Sequence, residues 1–259
     1  MREDVKFPRA TAEREAVLVR AEGGGSEKVK GEILKEHRME IEINGLLWAK
    51  VVCTPTDLEE LTVGRLITEQ IIKDCSEIGQ LSVGENGSRV EVYIPNAPLL
   101  GTAVPEESTC CTDNWILLQR PRTVCEPLPA AAWTREEVFR MVSDFARDSK
   151  LHRSTGGAHS CALAVEGQTV YSAEDIGRHN AMDKAIGYAV LHGSDRRKCM
   201  LFTTGRVPTD MVRKAVAAGI PVLISKAVPT GEAVQMAREY NLNLICRAWP
   251  DSFEIWAGA

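Results

Sequence analysis

The sequence contains no apolar run long enough to cross a bilayer, so a membrane-spanning helix is not expected. Residues Met1 to Ala12 are charged and lack the apolar segment of a secretory leader. A cytoplasmic protein without a membrane partner is therefore expected. Excess positive charge is also missing. Lys and Arg number 31 against 36 Asp and Glu, a net charge of -5. That balance argues against a broad nucleic-acid surface, while a local basic pocket remains compatible with it. There is no Walker A pattern and no GxGxxG opening a βαβ unit, so a conventional mononucleotide or nicotinamide enzyme is not supported. The 8 Cys show no CxxC…CxxC spacing. His159 and His179 have no third ligand at a diagnostic distance, and no metal site is expected. Internal repeats and low-complexity segments are absent too.

What is present fits a globular chain of 259 residues, 44% apolar and 26% charged, enough for one large domain or two modest ones. Residues 1–31 carry Gly23-Gly24-Gly25 in a charged setting and read as a flexible arm, with one short strand at Ala16 to Arg20. Residues 32–95 read as a strand-rich α+β unit. Met39, Ile41 and Ile43 alternate with polar residues, Asn44-Gly45 is a hairpin signal, and a strand follows over Leu46 to Cys53. Thr56 or Asp57 then caps a helix in which Gly64 permits close packing. A second hairpin spans Ile78 to Val83 and Arg89 to Ile94. Residues 96–132 form a proline-rich loop or linker bearing Cys110 and Cys111. Cys75, Cys161, Cys199 and Cys246 lie in or beside apolar runs and read as small buried hydrophobes.

Residues 133–259 read as a three-layer α/β domain, with a parallel sheet and a Thr134–Glu137 capping box on its first helix. Strands are expected over Ser160–Val165, Lys198–Thr203, Pro221–Ser225 and Leu242–Cys246, with an edge strand over Phe253–Trp256. Helices are expected over Asn180–Leu191, Thr209–Ala218 and Thr230–Tyr240. Thr209 or Asp210 caps the second of these, and Thr230 the third.

The densest chemistry lies in Asp175 to Lys184, reading Asp-Ile-Gly-Arg-His-Asn-Ala-Met-Asp-Lys. Asp175, Arg178, His179, Asp183 and Lys184 stand at the mouth of an apolar helix. One reading is a helix cap with solvated cations. The other is an anion site where helix N–H groups and cations converge. Successive strand ends carry Arg178 with His179, then Gly205-Arg206, Ser225-Lys226 and Arg247. One side of a parallel sheet can gather them, which suits a phosphate-rich ligand. Thr155-Gly156-Gly157-Ala158-His159 precedes its strand and is expected to approach from another direction. Cys110 sits in a polar loop, either as an unused thiol or as a nucleophile able to carry sulfur as a persulfide.

The chain resembles the formate dehydrogenase accessory protein (FdhD) family along most of its length. The matching stretches are Asn44-Gly45, Thr54 to Glu59, Gly64 to Glu69, Thr155 to His159, Gly177 to Ala181 with Asp183-Lys184, Gly205-Arg206, Met211-Val212 with Lys214-Ala215, Ala218 to Leu223, and Pro229-Thr230. The resemblance implies a sulfur carrier that takes sulfur from a cysteine desulfurase. It passes that sulfur to the molybdenum bis-guanine-dinucleotide cofactor of formate dehydrogenase. It also implies a homodimer and a cytidine-deaminase-like second domain without the deaminase zinc ligands. Taken together with the strand-end spacing, it puts the expected cofactor contacts at Asp175, Gly177, Arg178, His179, Asn180, Asp183, Lys184, Gly205, Arg206, Ser225 and Lys226. The final cofactor block matches Ile245, Cys246, Arg247, Ala248, Trp249 and Pro250. Cys110, Cys111, His179 and His159 are the catalytic candidates.

The chain departs from the family at its sulfur loop. Where the family has a CGxCG-like sequence, this chain reads Glu107-Ser108-Thr109-Cys110-Cys111-Thr112-Asp113-Asn114. Cys110 overlays the first family cysteine, Asp113 takes the place of the second, and both glycines are missing. Either Cys110 alone carries the persulfide, or the chain is a cofactor-binding chaperone without sulfur transfer. A nucleoside-processing hydrolase is a third reading, drawn only from analogy of fold.

Overall fold

Residues 11–34 form a ribbon where a flexible arm was expected. Strand β1 (Thr11–Val19) pairs antiparallel with β2 (Ser26–Leu34) through nine matched positions. The boundary drawn at residue 32 falls inside β2. The arm reading came from charge and glycine content. A solvated ribbon keeps such a composition because its backbone, not its core, is satisfied by pairing. The structure, a computed structural model, describes residues 8–22, 25–97, 105–107, 115–117 and 125–258.

The first sheet follows from period-2 alternation. Met39, Ile41 and Ile43 are buried on β3 (His37–Ile43), and the Asn44-Gly45 turn returns the chain as β4 (Leu46–Cys53). Both turn residues have positive φ, as a two-residue hairpin requires. Helix α1 (Leu58–Thr68) follows, then the hairpin β5 (Gln80–Val83) and β6 (Arg89–Tyr93), and the short strands β7 (Pro105–Glu107) and β8 (Trp115–Leu117). The sheet order is β5-β6-β3-β4-β8-β7. Neither Thr56 nor Asp57 caps α1. Asp57 occupies the N-cap position in a left-handed conformation and makes no side-chain cap hydrogen bond. Thr56 instead turns its hydroxyl to Lys184.

The second unit opens with α2 (Arg135–Asp148), capped by the expected Thr134–Glu137 box. A short helix α3 (Lys150–Thr155), which the sequence reading missed, leads into the sheet. The remaining elements are β9 (His159–Val165), β10 (Gln168–Asp175), α4 (Arg178–Leu191), β11 (Cys199–Thr203), α5 (Thr209–Ala217), β12 (Val222–Ser225), α6 (Gly231–Glu239), β13 (Asn243–Cys246) and β14 (Glu254–Ala257). The sheet order is β10-β9-β11-β12-β13-β14. Only β11, β12 and β13 are hydrogen-bonded to one another in parallel, whereas β9, β10 and β14 each pair antiparallel with their neighbours. A wholly parallel sheet is therefore corrected to a mixed one.

Alternation along these strands divides the core. Cys161, Leu163, Leu201, Leu223 and Leu244 face α1, α4, α5 and α6. Ala162, Ala164, Met200, Phe202 and Ile224 face α2. Helices thus cover both faces of the sheet. An N-terminal mixed β/α region followed by a mixed α/β domain is the result. The two regions share one core where α1 crosses α4. Gly64 and Gly187 make that crossing possible: a Cβ on Gly64 would overlap the Asp183 carbonyl, and one on Gly187 the Glu60 carbonyl. Thr230 caps α6 as expected. Neither Thr209 nor Asp210 caps α5, whose N-cap position is Pro208. Asp210 bonds His179 instead.

Candidate functional site

The strand directions gather the basic residues. β10 and β11 are each antiparallel to β9, so both run with β12 and β13. Their carboxyl ends, Asp175, Thr203, Ser225 and Cys246, lie on one edge of the sheet. The start of β9 reaches the same edge, with His159 paired to Asp175. The Thr155–His159 segment therefore joins the other strand ends. Its approach from another direction is corrected, because β9 is the reversed strand.

The turns at this edge are tied to one another. Gly205 N donates to Thr203 Oγ1 at 3.2 Å, and Ser225 Oγ donates to Gly205 O at 2.7 Å. Ser225 Oγ also accepts from Ala227 N at 3.0 Å. Arg247 N and Ala248 N donate to Ala227 O and Ser225 O. A Cβ at Gly205 would press to 3.0 Å from the Arg178 Cβ and Cδ. Glycine therefore lets the Arg178 stem lie across the neighbouring strand end. Arg178 is half-buried, and its Nε is buried with no partner among the described residues. Arg206, Lys226 and Arg247 are exposed. The Lys226 ammonium sits 4.8 Å from the centre of the Trp249 ring, and Arg247 reaches Glu254 at 3.3 Å.

Behind this rim lies a polar network whose charged members are buried. Lys184 Nζ pairs with Asp175 Oδ2 at 2.7 Å and donates to the hydroxyls of Thr54 at 2.9 Å and Thr56 at 3.2 Å. Asp175 also accepts from Thr54 N, Thr54 Oγ1, Gly177 N and Asn180 Nδ2. The head of α4 thus already carries a carboxylate supplied by the chain itself. Asn180 Nδ2 donates onward to Val52 O at 2.7 Å. One turn further, Asp183 accepts from Lys214 Nζ at 2.8 Å and Thr68 Oγ1 at 2.9 Å, with Arg65 at 3.8 Å. Asp175, Asn180, Asp183 and Lys184 have no exposed surface. Their charges are compensated inside the protein, as burial demands.

Two histidines stand between rim and network. His179 Nε2 lies 2.7 Å from Asp210 Oδ2. Burial pushes the Asp210 carboxyl up, but the His179 hydrogen bond and charge, the Met211 amide and Arg178 outweigh it and hold it at about 2. Burial, and then the charge of Arg178, push the His159 pKa below the usual histidine value, so its ring is neutral near pH 7. Burial raises the thiols of Cys161 and Cys246, the latter to about 12. Both are core side chains, as are Ile245 and Ala248. Cys199 is likewise buried and Cys75 half-buried.

The geometry brings together His159, Gly177, Arg178, His179, Gly205, Arg206, Ser225, Lys226, Arg247 and Trp249. Cys110 and Cys111 lie outside the described residues. Sequence reasoning missed Thr54, Thr56, Arg65, Thr68, Asp210 and Lys214 as members of the assembly. A signal existed, since Thr54, Thr56, Arg65, Thr68 and Lys214 all fall in motifs singled out for other reasons.

The model of the FdhD/NarQ family matches residues 34–259. The chain belongs to that family. Among curated relatives it is 31% identical over 220 residues to the sulfur carrier protein FdhD of Halalkalibacterium halodurans, covering 82% of this chain and 81% of the relative. It is 29% identical over 244 residues to the sulfur carrier protein FdhD of Bacillus licheniformis, covering 92% and 93%. A crystal structure described as a formate dehydrogenase accessory protein of Desulfotalea psychrophila has the same fold. Its TM-score is 0.76 at 24% identity, covering 96% of this chain and 98% of that one. The family model begins at residue 34, so most of the β1–β2 ribbon lies outside it.

Proposed function

We propose that this protein is a sulfur carrier in formate dehydrogenase maturation, and that the cationic sheet edge seats the phosphate-bearing part of a guanine-dinucleotide molybdenum cofactor, its substrate. The observation that carries this reading is the convergence of Arg178, Arg206, Lys226 and Arg247 on one edge, with the buried Nε of Arg178 still lacking a partner. Planar guanidinium groups suit phosphate oxygens, and a buried donor without an acceptor is costly unless a ligand supplies one. Trp249, with Lys226 against its ring, offers a flat surface for a purine. The names of the curated relatives support the sulfur-carrier half.

On this reading the buried residues have a supporting role. Asp175, Asn180, Asp183 and Lys184 hold the head of α4 in place, and Gly177 and Gly205 allow close approach. Cys110 receives sulfur. Its thiolate attacks the outer sulfur of a cysteine persulfide on a desulfurase; the donor's S–S bond breaks, a new one forms on Cys110, and the donor leaves as a thiolate. His159, held neutral, is the base that the edge offers for the Cys110 proton, with His179 and Cys111 as further participants. The same reading makes the protein a cytoplasmic homodimer, with formate dehydrogenase as client and a cytidine-deaminase-like second unit used for binding.

Calorimetric titration with guanosine diphosphate tests the edge. Wild type binds, and Arg178→Ala and Arg206→Ala each weaken binding by about tenfold, or about 1.4 kcal/mol. Unchanged affinity in both overturns the assignment. Mass measurement after incubation with a persulfide donor tests the carrier step. Wild type gains sulfur and Cys110→Ser does not. Equal loading in both would leave a cofactor-binding chaperone as the better account.

A further inference from the structure

Alternation along β9 sets His159 on the same face as Cys161 and Leu163, the face that α4 covers. Its backbone pairs with Asp175, and Gly177 just beyond is the N-cap of α4. On the other side, the turn after β11 is fastened to β9. Ser160 N donates to Thr204 Oγ1 at 3.1 Å, and Thr204 N donates to Ser160 O at 3.1 Å. The Arg178 stem crosses from the head of α4 to Gly205. His159 is therefore half-buried between the head of α4 and the Thr204–Gly205 turn. It shares that place with a guanidinium whose Nε has no partner among the described residues.

The charged and titratable groups that face His159 are Arg178 and His179 from α4, Asp175 from β10 and His152 from α3. Arg178, His152 and His179 oppose a proton on the ring, and only Asp175 favours one. Asp175 is already engaged by Lys184 at 2.7 Å and by Thr54, Gly177 and Asn180. Glu174, its neighbour on β10, accepts from the Leu151 and His152 amides. His179 has a carboxylate of its own in Asp210, at 2.7 Å. His152 is exposed, and its Nδ1 donates to Ala158 O at 2.7 Å. Among the described residues, His159 is thus the half-buried histidine that stands beside a cation without a carboxylate of its own.

An anion seated against Arg178 reverses this balance. We propose that a phosphate-bearing ligand enters this edge together with one proton from solvent, that the proton settles on His159, and that the imidazolium so formed completes the phosphate cradle with Arg178. The inference rests on the phosphate reading of the edge and adds how the site answers the ligand's charge. An opposite charge within about 4–6 Å favours the protonated ring by roughly ten- to a thousandfold. Burial and Arg178 hold the ring neutral near pH 7 in the empty protein, so a proton remains to be gained. The ring is then a proton acceptor while the edge is empty and a proton donor once it is filled.

Calorimetric titration of the full-length protein with guanosine diphosphate mannose tests the coupling, because the diphosphate of that probe is a diester and does not titrate near neutral pH. Compared at pH 7 in buffers of different ionisation heat, wild type takes up about half a proton or more per ligand. Its affinity falls by about tenfold between pH 6 and pH 8. His159→Gln binds more weakly at pH 6 and loses both the uptake and the pH dependence. Proton NMR of wild type reads the ring directly: saturating ligand moves the His159 midpoint up, a result that does not depend on how well His159→Gln folds. Binding without proton uptake in wild type, or uptake that persists in His159→Gln, overturns the inference and leaves the phosphate reading of the edge standing. No binding by wild type at any pH overturns both.

Discussion

At the scale of single residues, the site is governed by where each charge finds its partner. Asp175 and Lys184 read in sequence as members of an anion site, yet the two meet at 2.7 Å with no exposed surface. Removing one partner of a buried pair strands the other. Lys184→Met is expected to cost about 3 kcal/mol in urea unfolding, the lower end for such losses, since Thr54, Gly177 and Asn180 still donate to Asp175. His159 behaves oppositely, because burial and Arg178 resist its protonation. Its lowered folded pKa means stability is fully present above about pH 6.5 and is lost as pH falls toward the folded value. A proton NMR titration should place its midpoint below the ordinary histidine value. Arg178→Ala should move that midpoint up. Asp210 gives a second pH signature. Its folded value of about 2 lies below the unfolded one, so its contribution holds above pH 4 and fades as pH falls through about 2. Asp210→Asn should flatten acid unfolding in that window.

At the scale of elements, the crossing of α1 and α4 decides how the two regions meet. Gly64 could be read in advance as a close-packing position, whereas Gly187 could not, because nothing local says which helix it will touch. A Cβ on Gly187 would overlap the backbone carbonyl of Glu60, which no rotamer change can relieve. Gly187→Ala should therefore destabilise by about 3 kcal/mol in thermal unfolding, at the upper end for overpacking. The helix caps teach a related lesson. Thr134 and Thr230 cap as their spacing suggests. Thr56 and Asp210 have suitable side chains at suitable positions, but each is drawn away by a distant partner, Lys184 and His179 respectively. Local preference for a cap is worth about 1 kcal/mol, less than the demand of a buried charge for compensation.

At the scale of the whole molecule, one core and one polar network span both regions. Ile41, Leu61, Ala185 and Leu201 belong to the same apolar cluster although they come from both sheets and both crossing helices. The Thr54–Asp175–Lys184 and Thr68–Asp183–Lys214 contacts tie the same seam. The two regions should accordingly unfold together. Trp48 reports on the first sheet and Trp256 on the second. Denaturant curves from variants keeping only one of these tryptophans should share a midpoint, and separated midpoints would show independent domains.

The sequence by itself determined the hairpin at Asn44-Gly45, the order of strands and helices from α4 onward, and the cations that follow successive strands. Those features depend on alternation, turn chemistry and short spacing, all of which are local. Only the tertiary structure decided the rest. It reversed β9 and so delivered His159 to the edge. It paired Lys184 with Asp175 and Lys214 with Asp183, and it made a ribbon of residues 11–34. Strand direction and buried charge pairing join residues far apart in the chain, and no local pattern specifies which distant group will compensate a buried charge.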